Sequence, residues 1–238
     1  MADQDTQASE PAQGGSPDPA ELFPFPLDDF QLEAIDALNQ GHSVVVSAPT
    51  GSGKTLVGEY AIHRAMAHGQ KVFYTTPLKA LSNQKLRDFR EQFGTENVGL
   101  MTGDLSVNRD ASIVVMTTEI FRNMLYAEAD EHDDPLADVE AVVLDECHYM
   151  NDSQRGTVWE ESIIHSPPPV QLVALSATVA NAGQLTDWIE KVHGPTRLVL
   201  SDFRPVPLHF GFCSAKGLHP LLNEQGTGLH PNCKVWRA

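Results

Sequence analysis

The chain has 238 residues, of which 41% are hydrophobic, and a formal net charge of −16 at pH 7. This length suits one well-buried domain with tails, whereas two full domains would be a tight fit. The sequence contains no apolar run long enough for a membrane span, and its three scattered cysteines favour a reducing, cytoplasmic setting over a disulfide framework.

The N-terminal segment is acidic and poor in apolar residues. Met1 to Glu21 contains five acids and no Lys or Arg, which predicts a disordered acidic tail over residues 1–22. Positive charge is concentrated instead in His63–Arg90, where six cations accompany a single acid, Asp88. A local basic surface for nucleic acid can therefore exist on an acidic protein, although the same cations also suit an ordinary solvated face.

From residue 23 onward, strand and helix signals alternate along the chain. The predicted strands are Ser43–Ser47, Lys71–Thr75, Val98–Met101, Ser112–Met116, Ala141–Asp145 and Val170–Leu175. The predicted helices are Asp29–Asn39, Lys54–Ala67, Ala80–Gln92, Glu119–Glu128 and Ala182–Val192. Continuous apolar strands are covered on both faces, and the helices between them indicate parallel crossovers. The sequence therefore predicts an α/β fold with a doubly wound, mainly parallel sheet, helices on both faces, and ligands at the carboxyl ends of its strands.

The segment Ala48–Thr55, which reads APTGSGKT, follows the first predicted strand and opens a helix, as a phosphate-binding loop requires. Gly51 and Gly53 let the backbone turn so that successive N–H groups point at one phosphate, and the helix N-terminus adds its dipole. Lys54 can reach the β and γ phosphates of ATP, and Thr55 can ligate Mg²⁺. The candidate ATP-binding residues are Thr50, Gly51, Ser52, Gly53, Lys54 and Thr55. The alternative is a glycine-rich turn that binds nothing.

A second acidic motif, DECH at residues 145–148, follows the apolar strand AVVLD. Asp145 is placed to hold Mg²⁺ through its water shell, and Glu146 to orient the water that attacks the γ-phosphate. Lys54, Asp145 and Glu146 are therefore the candidate catalytic residues. A zinc site using Cys147 and His148 is excluded, because no further Cys/His pair lies at ligand spacing.

These residues match a known group of enzymes. DECH together with Ser176-Ala177-Thr178 resembles the DExD/H-box helicases of superfamily 2. The segments 148–152, 155–161 and 175–181 resemble the superkiller-type helicases, which include exosome-assisting RNA helicases. The resemblance covers about residues 22 to 215. It implies a RecA-like, ATP-binding helicase domain over residues 23–208 and the truncated start of a linker or further domain over residues 209–238.

The resemblance also implies roles by position. Phe25 would stack on the adenine, and Gln31 would read its edge. His148, Ser176 and Thr178 would couple the nucleotide state to nucleic-acid binding, the last two by hydrogen bonds to the DECH residues. The implied nucleic-acid contacts are Pro77, Lys79, Thr102, Gly103, Thr117 and Thr118. Taken singly, each of these contacts could equally be an ordinary loop residue or helix cap, with Thr118 a good N-cap.

The family resemblance further implies a nucleic-acid partner and a second RecA-like domain that this sequence does not contain. The expected partner is single-stranded nucleic acid, RNA rather than DNA, bound by a monomer. Such helicases use a second RecA-like domain that supplies arginines to the transition state, and no glycine- and arginine-rich segment of that kind occurs here. We therefore expect weak Mg–ATP binding and very slow hydrolysis by this chain, and 3′-to-5′ unwinding only by a full-length parent. The alternatives are a P-loop ATPase acting on DNA and a non-catalytic nucleotide-binding module.

Overall fold

A computed structural model describes residues 15–126, 135–152, 155–214, 217–223 and 225–230. The predicted disorder of residues 1–14 lies outside the described residues. For the rest of the predicted tail the prediction is wrong, because Pro19–Leu22 forms a short helix, α1. Asp18 caps this helix by accepting a hydrogen bond from the Ala20 N–H at 2.9 Å, and the carbonyl of Pro17 accepts from the Tyr60 hydroxyl at 3.2 Å.

The main sheet has eight strands in the order β4-β3-β5-β2-β6-β7-β1-β8. All neighbours are parallel except β3 and β4, which are antiparallel. The strands are β1 (Ser43–Ser47), β2 (Lys71–Thr76), β3 (Val98–Thr102), β4 (Leu105–Val107), β5 (Ile113–Thr117), β6 (Val139–Leu144), β7 (Gln171–Ser176) and β8 (Thr196–Leu200). The predicted doubly wound, mainly parallel fold is therefore confirmed.

Helices cover both faces of this sheet. They are α2 (Asp29–Asn39), α3 (Thr55–Ala67), α4 (Lys79–Phe93), α5 (Thr118–Tyr126), α6 (Gly156–His165) and α7 (Ala182–Val192). Successive strand residues alternate between two hydrophobic clusters, so that Val44 and Val46 of β1 lie in one and Val45 in the other. The first cluster includes residues of α2, α3 and α4, and the second includes residues of α5, α6 and α7. This alternation explains why the strands read as continuous apolar runs.

Within the main sheet and the helices that cover it, three elements were not predicted: β4, β8 and α6. β4 is a three-residue edge strand whose side chains are all exposed, so it carries no burial pattern. The other edge strand, β8, has only one buried residue among its five. Helix α6 follows the DECH motif without a side-chain N-cap. One strand boundary matters for the site: β6 ends at Leu144, so Asp145 lies in the turn that follows the strand.

By its internal contacts the chain divides into two compact units, Met1–Phe203 and Arg204–Ala238. The division comes earlier than the expected boundary after residue 208. Leu208 lines a cavity of about 740 Å³ with Phe210 and Leu218 of the second unit, which explains the difference. That unit contains an antiparallel hairpin of β9 (Gly211–Ser214) and β10 (Gly217–Pro220). Among the described helices of the chain, none is long and apolar enough to span a bilayer.

Candidate nucleotide and nucleic-acid site

The phosphate-binding loop connects β1 to α3 at the carboxyl edge of the sheet. Gly51 and Gly53 adopt positive φ angles of 82° and 86°, a conformation that glycine tolerates without a Cβ clash. Lys54 already has helical backbone angles, and α3 begins at Thr55. The N-terminus of this helix therefore lies at the same edge of the sheet as the loop, and the positive end of the helix dipole there suits an anion.

One cavity of about 460 Å³ brings the two sequence motifs together. Its lining includes Thr50, Gly51, Gly53, Lys54 and Thr55 of the loop and Asp145 and Glu146 of the DECH motif. Lys54 is 7% exposed and makes none of the ion pairs found among the described residues. Ser52 does not line the cavity, and its buried hydroxyl has no hydrogen-bond partner in the structure. The two motifs thus face each other across a space that can hold a triphosphate.

The Asp145 carboxylate is buried and held by two donors. Its Oδ2 accepts a hydrogen bond from the Tyr74 hydroxyl at 2.8 Å, and its Oδ1 accepts from the Glu146 N–H at 2.9 Å. Burial, followed by the charge of Asp145, raises the pKa of Tyr74 well above its usual value, so this tyrosine is a neutral donor.

Asp145 and Thr55 offer the carboxylate and hydroxyl oxygens that Mg²⁺ prefers beside a phosphate. No group of three His, Cys, Asp or Glu side chains suited to a metal occurs in the part of the chain that the structure describes.

Glu146 has an unusual backbone for a non-glycine residue, with φ 53° and ψ 41° in the left-handed region. Such conformations are costly and concentrate at functional sites. The turn directs the chain from β6 into a 3-10 segment, Cys147–Asn151. Burial raises the pKa of the Cys147 thiol to about 12, so this residue is an inert spacer as its position in the motif suggests.

His148 links the DECH motif to the segment after β7. Its Nδ1 lies 3.3 Å from Glu146 Oε2 and 3.3 Å from the Ala177 N–H. Acceptance of the Ala177 hydrogen requires an unprotonated Nδ1, whereas an ion pair with Glu146 requires a protonated ring. The two contacts therefore compete for one nitrogen.

The predicted hydrogen bonds from Ser176 and Thr178 to the DECH residues are wrong. The Ser176 hydroxyl is buried and donates to the Ala177 carbonyl at 2.8 Å, and Thr178 is exposed with no hydrogen bond among the described residues. The backbone N–H of Ala177 makes the contact instead. Ser47 at the end of β1 also bonds this segment, donating to the Ala177 carbonyl at 3.4 Å. A backbone donor leaves no side-chain signal in the sequence, which explains the error.

The two adenine-side residues lie outside the lining of the cavity. Gln31 is 5% exposed; its Oε1 accepts from the Asp28 N–H at 2.9 Å, and its Nε2 donates to the Gly53 carbonyl at 3.0 Å. Phe25 is 53% exposed and its ring centroid lies 6.1 Å from that of Phe23. Gln31 therefore links the start of α2 to the loop, and Phe25 exposes its ring; the roles of both residues towards adenine stay predictions.

The predicted nucleic-acid contacts follow three adjacent strands, β3, β5 and β2. Their carboxyl ends meet at one edge, so the six residues lie along a common surface region. Lys79 and Gly103 are exposed, Thr117 is half-buried, and Pro77, Thr102 and Thr118 are buried.

Two predicted hydroxyl contacts in this region are already satisfied within the protein. Thr118 is fully buried and its hydroxyl donates to the Thr76 carbonyl at 3.2 Å, so it is neither an N-cap nor a free donor. The Thr102 hydroxyl donates to Asp104 at 3.0 Å. These two threonines shape the loops, and Lys79, which forms an ion pair with Asp104, is the exposed cation.

Comparison with known proteins identifies the family. A model of the DEAD/DEAH box helicase family matches residues 28–185, which is more than half of the chain. The chain belongs to the DEAD/DEAH box helicase family. It is 55% identical over 211 residues to the chloroplastic DExH-box ATP-dependent RNA helicase DExH15 of Arabidopsis thaliana, with 88% of this chain and 18% of that protein covered.

The superkiller-type resemblance of this helicase domain is confirmed by a second relative. The chain is 48% identical over 217 residues to the antiviral helicase SKI2 of Saccharomyces cerevisiae, with 91% of this chain and 17% of that protein covered. The chain thus spans about a fifth of the length of these relatives. The fold also matches the crystal structure of the DUF1998 helicase MrfA bound to DNA and AMPPNP, with a TM-score of 0.62, 22% identity, and coverage of 75% of this chain and 27% of that one.

Several residues beside the candidate nucleotide site were not predicted from the sequence. Leu81, Gln84 and Lys85 of α4 line the nucleotide cavity. The Nζ of Lys85 lies 5.4 Å from the ring centroid of Tyr74, whose hydroxyl holds Asp145. The signal for Lys85 was its place in the cation-rich stretch His63–Arg90. Tyr74 gave none, because it occupies an ordinary apolar position in a buried strand.

Proposed function

We propose that this chain is the ATP-binding motor domain of an ATP-dependent RNA helicase of the superkiller type. The observation that carries the proposal is the single cavity in which Lys54 and Thr55 face Asp145 and Glu146 at the carboxyl edge of the sheet. This arrangement provides a loop and a lysine for the phosphates, the Asp145 carboxylate for the metal, and the Glu146 carboxylate for the attacking water. The ends of β3, β5 and β2 on the same edge would bind single-stranded nucleic acid.

Each residue in the cavity has a distinct chemical task in ATP hydrolysis. Lys54 would bind the β and γ phosphates, and the helix N-terminus of α3 would orient them. Thr55 and Asp145 would hold Mg²⁺, which neutralises the charge on the phosphates when bound. Glu146 would accept a hydrogen bond from the attacking water and turn it towards the γ-phosphate. We propose that a second RecA-like domain completes the cleft, since the relatives are several times longer than this chain.

RNA is the proposed strand because the similar curated proteins include one named as an RNA helicase. The contacts offered by Lys79 and by the loop backbone would be to sugar and phosphate, which suits a motor that steps over any sequence. The proposed direction of unwinding by the full-length protein is 3′ to 5′. A monomeric state and a cytoplasmic location stay predictions from the sequence.

The test of the nucleotide site is the Lys54→Ala variant of this chain. We expect Mg–ATP affinity to fall below detection in a fluorescence titration while the circular dichroism spectrum and thermal unfolding midpoint are retained. Lys71→Ala is the matched control, because Lys71 begins β2 at the sheet edge opposite the cavity; this variant should keep wild-type affinity. Unchanged ATP binding by Lys54→Ala would remove the phosphate-loop assignment, and a titration with single-stranded RNA or DNA of one sequence would decide between the two strands.

A further inference from the structure

Tyr74 lies directly behind the carboxylate that is proposed to hold Mg²⁺. It is a residue of β2, paired with Val143 of the neighbouring strand β6, and it is fully buried. Its hydroxyl donates to Asp145 Oδ2 at 2.8 Å, while the adjacent main chain of Thr75 accepts from the Asp145 N–H at 3.0 Å. Strand β2 therefore holds both the backbone and the side chain of Asp145.

The Tyr74 ring has little freedom to move. A Cβ added at Gly58 of α3 would lie 3.3 Å from Tyr74 Cε2, so the helix backbone packs against one part of the ring. Phe89 of α4 packs edge-on at a centroid distance of 5.0 Å, and the ammonium of Lys85 lies 5.4 Å from the ring centroid. A hydroxyl on a ring fixed by two helices points in one direction only.

This geometry limits the orientations open to the Asp145 carboxylate. Each carboxylate oxygen has two acceptor positions, and here one on Oδ2 is occupied by Tyr74 and one on Oδ1 by the Glu146 N–H. The remaining positions are thereby aimed in fixed directions towards the cavity shared with Thr55. Loss of a group that orients a metal-binding side chain typically costs about 10–100-fold in metal affinity.

We propose that Tyr74 is a positioning residue that fixes Asp145 for Mg²⁺, an inference that rests on the proposed nucleotide site. Tyr74 touches neither the nucleotide nor the reacting atoms. Tyr74 affects only the binding of Mg²⁺ by Asp145, so nucleotide binding in the absence of Mg²⁺ does not depend on this tyrosine.

The test compares Tyr74→Phe with wild type in binding a fluorescent, non-hydrolysable ATP analogue, first in EDTA and then across a Mg²⁺ series. We expect equal affinity in EDTA, and a Mg²⁺ concentration for half-maximal tightening that rises by about 10-fold or more in the variant. Asp145→Asn serves as the reference in which the Mg²⁺ response is lost.

The matched control is Tyr60→Phe. Tyr60 of α3 is another fully buried tyrosine of the same domain, and its hydroxyl donates to Asn39 of α2 at 2.9 Å instead of to Asp145. Its Mg²⁺ response should equal that of wild type. An equal shift in both variants, or no shift in Tyr74→Phe, would overturn the positioning role while leaving the nucleotide site in place. A wild-type chain that binds no analogue in either condition would overturn the proposed function and this inference together.

A second measurement leaves residue 74 unchanged and covers the case in which Tyr74→Phe does not fold. The chain has four tyrosines, Tyr60, Tyr74, Tyr126 and Tyr149, which can be replaced globally by 3-fluorotyrosine. Addition of Mg²⁺ to the analogue-bound chain should shift the ¹⁹F resonance of residue 74 and leave that of residue 60 in place. A residue 74 signal that does not respond to Mg²⁺ would contradict the proposal.

Discussion

The side chains around the nucleotide cavity differ in how many of their polar atoms are already bonded. Asp145 and Gln31 are held by neighbours within the protein, whereas the buried Lys54 makes none of the ion pairs found in the described structure. The Ser52 hydroxyl is likewise buried without a partner. Buried polar groups of this kind cost free energy until a ligand satisfies them. We expect a phosphate bound in the cavity to supply a partner for Lys54, which lines it, whereas Asp145 is already oriented by its two donors.

On the nucleic-acid side, Lys79 is the residue whose charge can be tested directly. We expect Lys79→Ala to weaken binding of single-stranded RNA and to reduce the salt dependence of the affinity, because one phosphate contact is lost. The slope of log K against log salt should fall by about 0.7. Fluorescence anisotropy with a labelled oligonucleotide at several salt concentrations measures both quantities.

Lys71→Ala removes the same charge at the other end of β2 and is the control for this measurement. Its salt slope should stay at the wild-type value. Equal slopes for Lys79→Ala and wild type would show that Lys79 is only part of a solvated face.

Among the secondary-structure elements, α6 connects the two functional regions. Arg155, just before α6, donates to the Pro77 carbonyl at 2.6 Å and forms an ion pair with Glu119 of α5. The 3-10 segment Cys147–Asn151, which includes the last two residues of the DECH motif, ends four positions before this arginine in the sequence. We therefore propose that Arg155 couples movement of the DECH segment to the predicted nucleic-acid contacts near Pro77 and Thr118.

We expect Arg155→Gln to change the coupling between nucleotide and RNA binding by about 0.5–2 kcal/mol. The ion pair is a third exposed on each side, so its loss should lower the free energy of unfolding by less than about 1 kcal/mol. RNA affinity measured with and without an ATP analogue gives the coupling. Arg122→Gln, which breaks a similarly exposed pair with Glu161, is the control and should leave the coupling unchanged.

The start of α6 also depends on the absence of a side chain. A Cβ added at Gly156 would lie 2.2 Å from the Met150 carbonyl oxygen, which is backbone and cannot move away alone. We expect Gly156→Ala to lower the free energy of unfolding by about 1–3 kcal/mol in a denaturant titration, as overpacking does.

Gly183 in the first turn of α7 is the matched position for that experiment, because an added Cβ meets nothing within 4 Å. Gly183→Ala should be neutral or raise the free energy of unfolding by about 0.4–1 kcal/mol. Comparable losses at the two glycines would contradict a specific contact between Gly156 and Met150.

At the scale of the whole molecule, charge and size set the limits of what this chain does alone. A net charge of −16 repels nucleic acid at long range, so the proposed binding would depend on local cations such as Lys79. The proposed nucleotide cavity is lined by the phosphate loop and by Asp145 and Glu146, all at one edge of the sheet. The arginines that stabilise the transition state in two-domain motors are proposed to come from another domain.

We therefore expect the 238-residue chain to hydrolyse Mg–ATP slowly. Its rate of phosphate release should be about 10³–10⁵-fold lower than that of a parent with both RecA-like domains. A coupled phosphate-release assay with and without single-stranded RNA measures this. ATP-dependent unwinding by the chain alone would contradict the expectation.

The sequence by itself determined the fold class, the phosphate loop and the acidic motif, because these depend on local patterns. Buried runs such as Ser43–Ser47 define strands, and a strand followed by GSGKT and a helix defines the loop. Only the tertiary structure decided which atoms make the contacts. Three hydrogen bonds illustrate this: Tyr74 donates to Asp145, the Ala177 N–H donates to His148, and the buried Thr118 hydroxyl donates to the Thr76 carbonyl. Each of them joins residues that lie in different strands or just beyond the ends of different strands. Side-chain direction and strand order, which set such contacts, are fixed by packing across the sheet and leave no local signature in the chain.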